Sequence, residues 1–164
     1  RRDEGGMMAL EGIVNPTVLE ELLRDEYYTR TPPKTAGREQ YGTAFVDGLI
    51  ERGLSPADTM ATATMLTAAT IAEGIYQFSN AEDGAMGEVV VSGGGVHNLA
   101  LMRMLRTELP DMDVIDSNSL GLDPDAKEAI AFAILAHETW HRRANNLPSA
   151  TGAARAVILG KLSR

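Results

Sequence analysis

The chain has 164 residues and no cysteine. This length suits one domain with a buried core, and the absence of thiols excludes disulfide and thiolate chemistry. The formal net charge of -8 at pH 7 makes a nucleic-acid backbone an unfavourable partner. The uncharged run at 59–72 is too short to span a bilayer and no targeting segment is visible, so we expect a cytoplasmic protein without a membrane partner.

Helices dominate the first half of the chain. Residues 1–14 are glycine-rich and are predicted to form an irregular leader. Asn15-Pro16 and Ser55-Pro56 each place a capping residue before a proline, which is typical of a helix start. The predicted elements are helices over about 16–28, 40–52 and 56–78, with a loop at 31–39.

Strands and helices alternate in the second half. Asp123 and Pro124 are predicted to be the N-cap and first residue of a helix that ends at 141–143. This alternation predicts an α/β fold with a small, mostly parallel sheet of about three strands flanked by helices. The predicted elements are a polar loop at 80–87, strands at 88–92, 113–116 and 156–160, helices at 98–110 and 124–143, and a loop at 145–154.

A glycine-rich turn lies between the first predicted strand and the helix that follows it. Three valines and Ser92 lead into Gly93, Gly94 and Gly95, and a helix opens at Asn98. Glycines let backbone N–H groups approach an anion, and the first turn of a helix favours negative charge. The turn therefore predicts a phosphate site. A tight strand-to-helix turn without a ligand is the alternative, and these residues alone leave both open.

A second motif, His137-Glu138-Thr139-Trp140-His141, matches the H-E-x-x-H pattern of zinc peptidases. A catalytic zinc needs a third protein ligand, and no Asp, Glu or His follows His141. The third ligand would have to come from upstream. The favoured interpretation is a helix end at which His and Arg side chains meet the negative end of the helix dipole.

Four segments together resemble the second half of the anhydro-N-acetylmuramic acid kinase family. They are PPKTAGRE at 32–39, VVVSGGGVHNLALMRML at 89–105, GLDPDAKEAIAFAILA at 121–136 and NLPSATGAARAVILGKL at 146–162. The segments keep the order and spacing of the family, whose members are roughly twice as long as this chain.

The resemblance implies the superfold of sugar kinases, Hsp70 and actin, an actin-like, ribonuclease H-like ATPase fold in which two α/β domains close around ATP. The family uses ATP and Mg²⁺ to phosphorylate 1,6-anhydro-N-acetylmuramic acid at O6. Water opens the anhydro ring in the same reaction, which gives N-acetylmuramic acid 6-phosphate for cell-wall recycling. On this basis residues 1–164 form one domain, the second, nucleotide-binding domain of a two-domain kinase.

The resemblance also sets expectations about partners. The first phosphate loop and the catalytic Asp lie in the family's first half, so no catalytic residue is expected in this chain and we expect it to be inactive alone. Its partners would be ATP or ADP, an amino-sugar substrate and the N-terminal kinase domain, in the same chain or a companion chain. The full-length family is expected to form homodimers.

The resemblance assigns roles to particular residues. Gly93, Gly94, Gly95 and Asn98 match the nucleotide-binding turn, and no metal-ligating residue is expected. Each of the remaining matches leaves a structural alternative open, either an ion pair, a first-turn acid that complements the helix dipole, or a plain turn. The matched substrate or loop contacts are Lys34, Arg38, Glu39, Glu128, Thr151 and Gly152.

A hypothesis from a different class is a non-catalytic α/β module. In that case the glycine turn is structural, and an exposed sheet edge binds a partner protein.

Overall fold

A computed structural model of the chain describes residues 3–32, 34–37, 39–78 and 87–161. It has an α/β architecture in which the helices outnumber the strands. The helices are α1 (Met7–Glu11), α2 (Pro16–Leu23), α3 (Glu26–Thr29), α4 (Thr43–Glu51), α5 (Pro56–Phe78), α6 (Leu99–Glu108), α7 (Lys127–Trp140) and α8 (Pro148–Thr151). The strands are β1 (Gly87–Val91) and β2 (Met112–Asp116).

The long helix α5 is the centre of the structure, and α1, α2, α4 and α6 all pack against it. Its first turn is fixed by Ser55, whose Oγ accepts a hydrogen bond from the Asp58 N–H at 3.1 Å. Small buried residues, including Ala61, Ala68 and Ala72, let the neighbouring helices approach closely. The predicted bounds of this helix are confirmed. None of the helices in the described part of the chain is long and apolar enough to cross a membrane.

The two strands form a parallel pair in which Val89 lies opposite Val114. Helix α6 connects them and packs on one face of the pair, as the strand–helix–strand order predicts. Side chains alternate between faces along a strand, so Val90 lies on the other face, where it is 43% exposed. The main core lies between α5, α6 and the sheet and contains Ala68, Ala72, Met102, Leu105, Leu109 and Val114.

The predicted third strand at 156–160 is wrong. Leu159 donates its backbone N–H to Asn145 Oδ1, and Val157 donates its N–H to Asn146 Oδ1, both at 2.6 Å. Because asparagine side chains take these N–H groups, the segment joins no sheet, and the described sheet has two strands instead of about three.

The leader is more regular than predicted. Residues 4–11 form a 3-10 turn followed by α1, where the sequence predicts irregular structure. The Asp3 carboxylate explains the difference, since it accepts hydrogen bonds from the N–H groups of Met8 at 2.9 Å and Ala9 at 3.0 Å. Gly5 and Gly6 have positive φ angles, which allow the chain to turn back toward this carboxylate.

Two aspartates also change predicted helix bounds. Asp25 accepts a hydrogen bond from the Tyr27 N–H at 2.8 Å and starts α3, so the helix predicted over 16–28 is divided into α2 and α3. Asp123 does not cap α7 directly. Its carboxylate accepts from the Asp125 N–H at 2.9 Å and forms a turn at 123–126, so that α7 begins at Lys127.

The remaining differences are smaller. Helix α4 begins at Thr43 instead of 40, and the predicted loop at 145–154 contains the short helix α8. Most of the polar loop predicted at 80–87 falls outside the described residues.

Helix α7 differs from α5 in its surroundings. Both helices are rich in alanine and large apolar residues, but α7 has no buried residue. Ile130, Phe132, Ile134 and Trp140 are between 41% and 70% exposed. In the described structure, α7 therefore presents a broad apolar surface.

Candidate functional site

The glycine turn, residues 93–98, joins β1 to α6 through one 3-10 turn at Gly94–His97. Asn98 then caps α6, because its Oδ1 accepts a hydrogen bond from the Leu101 N–H at 3.0 Å. The predicted order of strand, glycine turn and Asn-capped helix is thus present. N–H groups at the start of the 3-10 turn and of α6 have no partner within their own helix, which is the local property of an anion site.

A side chain would have a different effect at each of the three glycines of this turn. Gly93 has φ 84° and ψ -178°, a conformation that is essentially limited to glycine. Gly94 has no positive φ, and a Cβ atom built on it would have no heavy atom within 4 Å. A Cβ on Gly95 would lie 3.4 Å from the Leu101 side chain. Neither backbone conformation nor packing requires glycine at position 94, and its exposed backbone leaves space for a ligand to approach.

A cavity of about 520 Å³ opens beside the glycine turn, and we call it the glycine-turn cavity. Gly94, Gly95 and Asn98 line one side of it. The leader lines another side and approaches very closely, because a Cβ on Gly6 would overlap the Asn98 side chain. The lining residues from outside the turn are Asp3, Glu4, Gly5, Leu101 and Asp125.

The charged side chains of this cavity do not form a metal site on their own. No group of three His, Cys, Asp or Glu side chains could hold a metal ion anywhere in the described ranges. The Asp3 carboxylate is already bonded to two N–H groups of α1. Mg²⁺ commonly keeps several waters and binds one or two carboxylates together with substrate phosphates. The carboxylates that line the cavity would therefore supply at most one or two ligands to a Mg²⁺ ion that arrived with a phosphate.

Two contacts connect the glycine turn to the turn that precedes α7. Gly93 donates its backbone N–H to the carbonyl oxygen of Pro124 at 3.0 Å. The His97 Nε2 atom lies 3.0 Å from each carboxylate oxygen of Asp125. Glu128 follows three residues later, exposed in the first turn of α7. The structure thus connects the helix of Glu128 to the glycine turn, although Glu128 does not line the glycine-turn cavity.

The segment at 32–39 lies at a different cavity. Lys34 donates from its Nζ to the carbonyl oxygens of Tyr28 at 2.7 Å and Tyr27 at 3.3 Å. The same ammonium lies 5.2 Å from the ring centroids of Tyr27 and Phe78. Lys34 lines a largely apolar cavity of about 600 Å³, which shares no lining residue with the glycine-turn cavity. These contacts favour a structural role for Lys34.

Two other residues of that segment, Arg38 and Glu39, are also predicted substrate or loop contacts. Glu39 is exposed, and its carboxylate lies against Gly37, where a Cβ would collide with it. Arg38 lies outside the described residues. Glu39 does not line the glycine-turn cavity.

Thr151 and Gly152 form the end of α8. The Thr151 hydroxyl donates to the Leu147 carbonyl at 2.9 Å, and Gly152 ends the helix with φ 69°. Left-handed glycine at this position is a common helix terminator. Local structure therefore explains both residues without a ligand.

The H-E-x-x-H motif lies at the end of α7, and His141 is already the C-cap. The rings of His137 and His141 are 4.4 Å apart between centroids. Glu138 is drawn toward Arg143, whose Nη1 lies 3.4 Å from its Oε1. The contacts at this helix end agree with the favoured interpretation of charged side chains at the helix dipole and add no third zinc ligand.

His97 and Asp125 are the residues that sequence reasoning missed. His97 lies within the glycine motif, and Asp125 lies within the Asp-Pro-Asp start of the α7 region. Their sequence positions are 28 residues apart, so no local pattern predicts that they meet. Only their adjacency to two segments already singled out could have suggested the contact.

Comparison with known proteins agrees with the sequence resemblance. The family model described as anhydro-N-acetylmuramic acid kinase matches residues 1–164. The chain is 46% identical to the protein of that name from Salinibacter ruber and 41% identical to that from Caldanaerobacter subterraneus subsp. tengcongensis, and each match covers 98% of the chain and 41% of the relative. It is 42% identical to the Thiobacillus denitrificans protein, over 99% of the chain and 43% of the relative. The chain thus spans about two-fifths of the length of these curated relatives.

Proposed function

This chain belongs to the anhydro-N-acetylmuramic acid kinase family, and from that premise we propose that it forms the nucleotide-binding domain of such a kinase. The full protein would use ATP and Mg²⁺ to phosphorylate 1,6-anhydro-N-acetylmuramic acid, within a two-domain, actin-like fold. The single observation that carries the proposal is the glycine turn between β1 and the Asn98-capped helix α6, which opens onto the glycine-turn cavity.

Phosphoryl transfer depends mainly on positioning and on neutralising charge, so a nucleotide domain can contribute without a nucleophile of its own. ATP supplies the transferred phosphoryl group, and Mg²⁺ offsets its charge. The N–H groups at the start of the 3-10 turn, beginning at Gly94, would face the phosphates, while Asn98 caps α6. Glu128 would approach the sugar from α7. The catalytic base would lie in the N-terminal kinase domain.

The surface of α7 supports the involvement of further polypeptide. Helix α7 has 14 residues, none of them buried, and several of its large apolar side chains are exposed. A helix in water gains most of its stability from burying an apolar face, which α7 does not do in the described structure. A larger body that covers α7 would remove this apolar surface from solvent. We assign that role to the N-terminal kinase domain, in an enzyme that works in the cytoplasm and forms a homodimer.

Calorimetric titration with Mg-ADP tests the proposal, with both this chain and the full-length protein. We expect weak binding and no turnover for the chain alone, and both binding and sugar phosphorylation for the full-length protein. The matched variant is Gly94→Val in the full-length protein, which should lose nucleotide affinity. If the chain gives no heat and this variant binds Mg-ADP as tightly as the unmodified protein, the proposal is wrong.

The exposed apolar surface of α7 also favours the second candidate, a non-catalytic partner-binding module. Light scattering after size-exclusion chromatography separates the two functions. Self-association of the chain, together with no binding of Mg-ADP by the full-length protein, would favour the partner-binding module.

A further inference from the structure

His97 and Asp125 form an exposed side-chain pair in the lining of the glycine-turn cavity. The His97 Nε2 atom is equidistant, at 3.0 Å, from both Asp125 carboxylate oxygens. Both side chains line the glycine-turn cavity, at its boundary with the turn that precedes α7. His97 directly precedes the cap Asn98, and Asp125 precedes Glu128 by three residues. The pair therefore joins the turn that bears Asn98 to the turn that precedes the helix of Glu128.

Stability does not account for this pair. The side chains are 59% and 63% exposed, and solvent-exposed ion pairs contribute little to folding because water screens the charges. The hydrogen bond from Gly93 to Pro124 joins the same two turns. Both contacts join the glycine turn to the turn at 123–126, which leads directly into α7.

We propose, on the premise of the proposed function, that His97 and Asp125 are positioning residues that couple nucleotide binding to sugar binding. Nucleotide on the glycine turn restricts the turn, the pair transmits that restriction to the start of α7, and Glu128 is held for the sugar. Such coupling is reciprocal, so each ligand must raise the affinity for the other by the same factor.

The experiment uses the full-length protein and measures the dissociation constant of Mg-ADP with and without 1,6-anhydro-N-acetylmuramic acid. We expect the sugar to tighten Mg-ADP binding by about 5-fold or more in the unmodified protein, within the usual range of coupling between sites. His97→Ala and Asp125→Ala should each bring this factor close to one. The double variant should be no worse than either single variant, because all three lose the same contact.

Two further variants separate positioning from folding. His97→Gln retains an N–H donor within reach of Asp125 and should restore most of the coupling. Arg52→Ala removes a comparable exposed pair, Arg52–Glu21, which is 2.8 Å long and lies outside the proposed site. This control should leave coupling unchanged. All variants should unfold within about 2 °C of the unmodified protein, as expected for surface pairs.

The outcomes distinguish this inference from the function beneath it. If the unmodified protein binds Mg-ADP and sugar without coupling, or if His97→Ala keeps the coupling, the positioning role is wrong and the kinase function stands. The same conclusion follows if the losses accompany a large drop in the unfolding temperature, or if Gln restores nothing. If the full-length protein binds no Mg-ADP and transfers no phosphate, the proposed function itself is wrong.

Discussion

Replacing Gly94 with alanine separates ligand binding from folding at the glycine turn. The new methyl group meets no heavy atom within 4 Å, and Gly94 does not have a positive φ. A glycine-to-alanine change in such a conformation stabilises a protein by about 0.4–1 kcal/mol, because alanine has fewer unfolded conformations to lose. We therefore expect Gly94→Ala to be at least as stable as the unmodified protein.

Nucleotide binding should respond in the opposite direction. The methyl group would occupy the space through which a phosphate approaches the backbone, and we expect Mg-ADP affinity to fall by about tenfold, or about 1.4 kcal/mol. Gly93→Ala is the matched control. Its φ of 84° and ψ of -178° should cost about 1–3 kcal/mol of stability whether or not a ligand binds.

The assays are urea unfolding and calorimetric titration with Mg-ADP, both on the full-length protein. Gly94→Ala should keep or raise the unfolding midpoint and weaken binding, whereas Gly93→Ala should lower the midpoint. Unchanged Mg-ADP affinity in a well-folded Gly94→Ala protein would refute the reasoning that the exposed backbone serves a ligand. If Gly94→Ala lost more than about 1 kcal/mol of stability, position 94 would not have the space and the ordinary backbone conformation described above.

Three further predictions concern the rest of the structure. Leu105→Ala should cost about 2–5 kcal/mol in urea unfolding, because Leu105 is 1% exposed in the main core; a smaller loss would contradict its central place. Hydrogen bonds from the Ile13 N–H and then from Ser55 hold the pKa of Asp58 below its usual value. The ionised carboxylate therefore stabilises the folded protein above about pH 3.9, and this stabilisation is lost as the pH falls through the lowered pKa of the folded state. Urea midpoints between about pH 6 and 3 should therefore fall less for Asp58→Asn than for the unmodified protein, and equal slopes would count against this role. Lys34→Met should lower stability by about 1–3 kcal/mol through its lost carbonyl contacts and leave Mg-ADP affinity unchanged, and the reverse pattern in the same two assays would assign Lys34 to the ligand site.

The elements that the sequence predicts best are those with strong local signals. Ser55-Pro56 and the apolar residues beyond it predict α5 with its observed bounds. The valines before Gly93 predict β1, and Asn98 predicts the start of α6 through a cap that the structure confirms. In each case the decisive interaction lies within a few residues, where capping and periodicity are readable.

The errors arise where a distant or competing interaction decides. The segment at 156–160 has the apolar, β-branched composition of a strand, but asparagines at 145 and 146 take its N–H groups. Strand composition describes a pleated, half-buried environment, and only tertiary structure supplies that environment. Asp3 and Asp123 show the same limit for helices, because each carboxylate bonds to nearby N–H groups and moves a boundary.

The same distinction between local and distant interactions applies to the candidate site. The glycine turn can be predicted from the sequence because its backbone conformation depends on consecutive residues. The contact between His97 and Asp125 spans 28 positions and depends on how β1 and the turn at 123–126 are arranged. Lys34 matched a distinctive motif, yet its ammonium is engaged by Tyr27 and Tyr28 at another cavity. A match to a motif therefore indicates that a chain belongs to the family, but it does not predict which motif residues contact the ligand.

The apolar surface of α7 and the proposed site are physically connected. Helix α7 bears Glu128, is tied to the glycine turn through Asp125, and has no buried residue of its own. A polypeptide that covers the apolar residues of α7 would therefore contact the helix that carries Glu128. Its docking would order α7 at the same time as it assembles the site. We thus expect the affinity for nucleotide and the stability of α7 to rise together when the chain is part of the full-length protein.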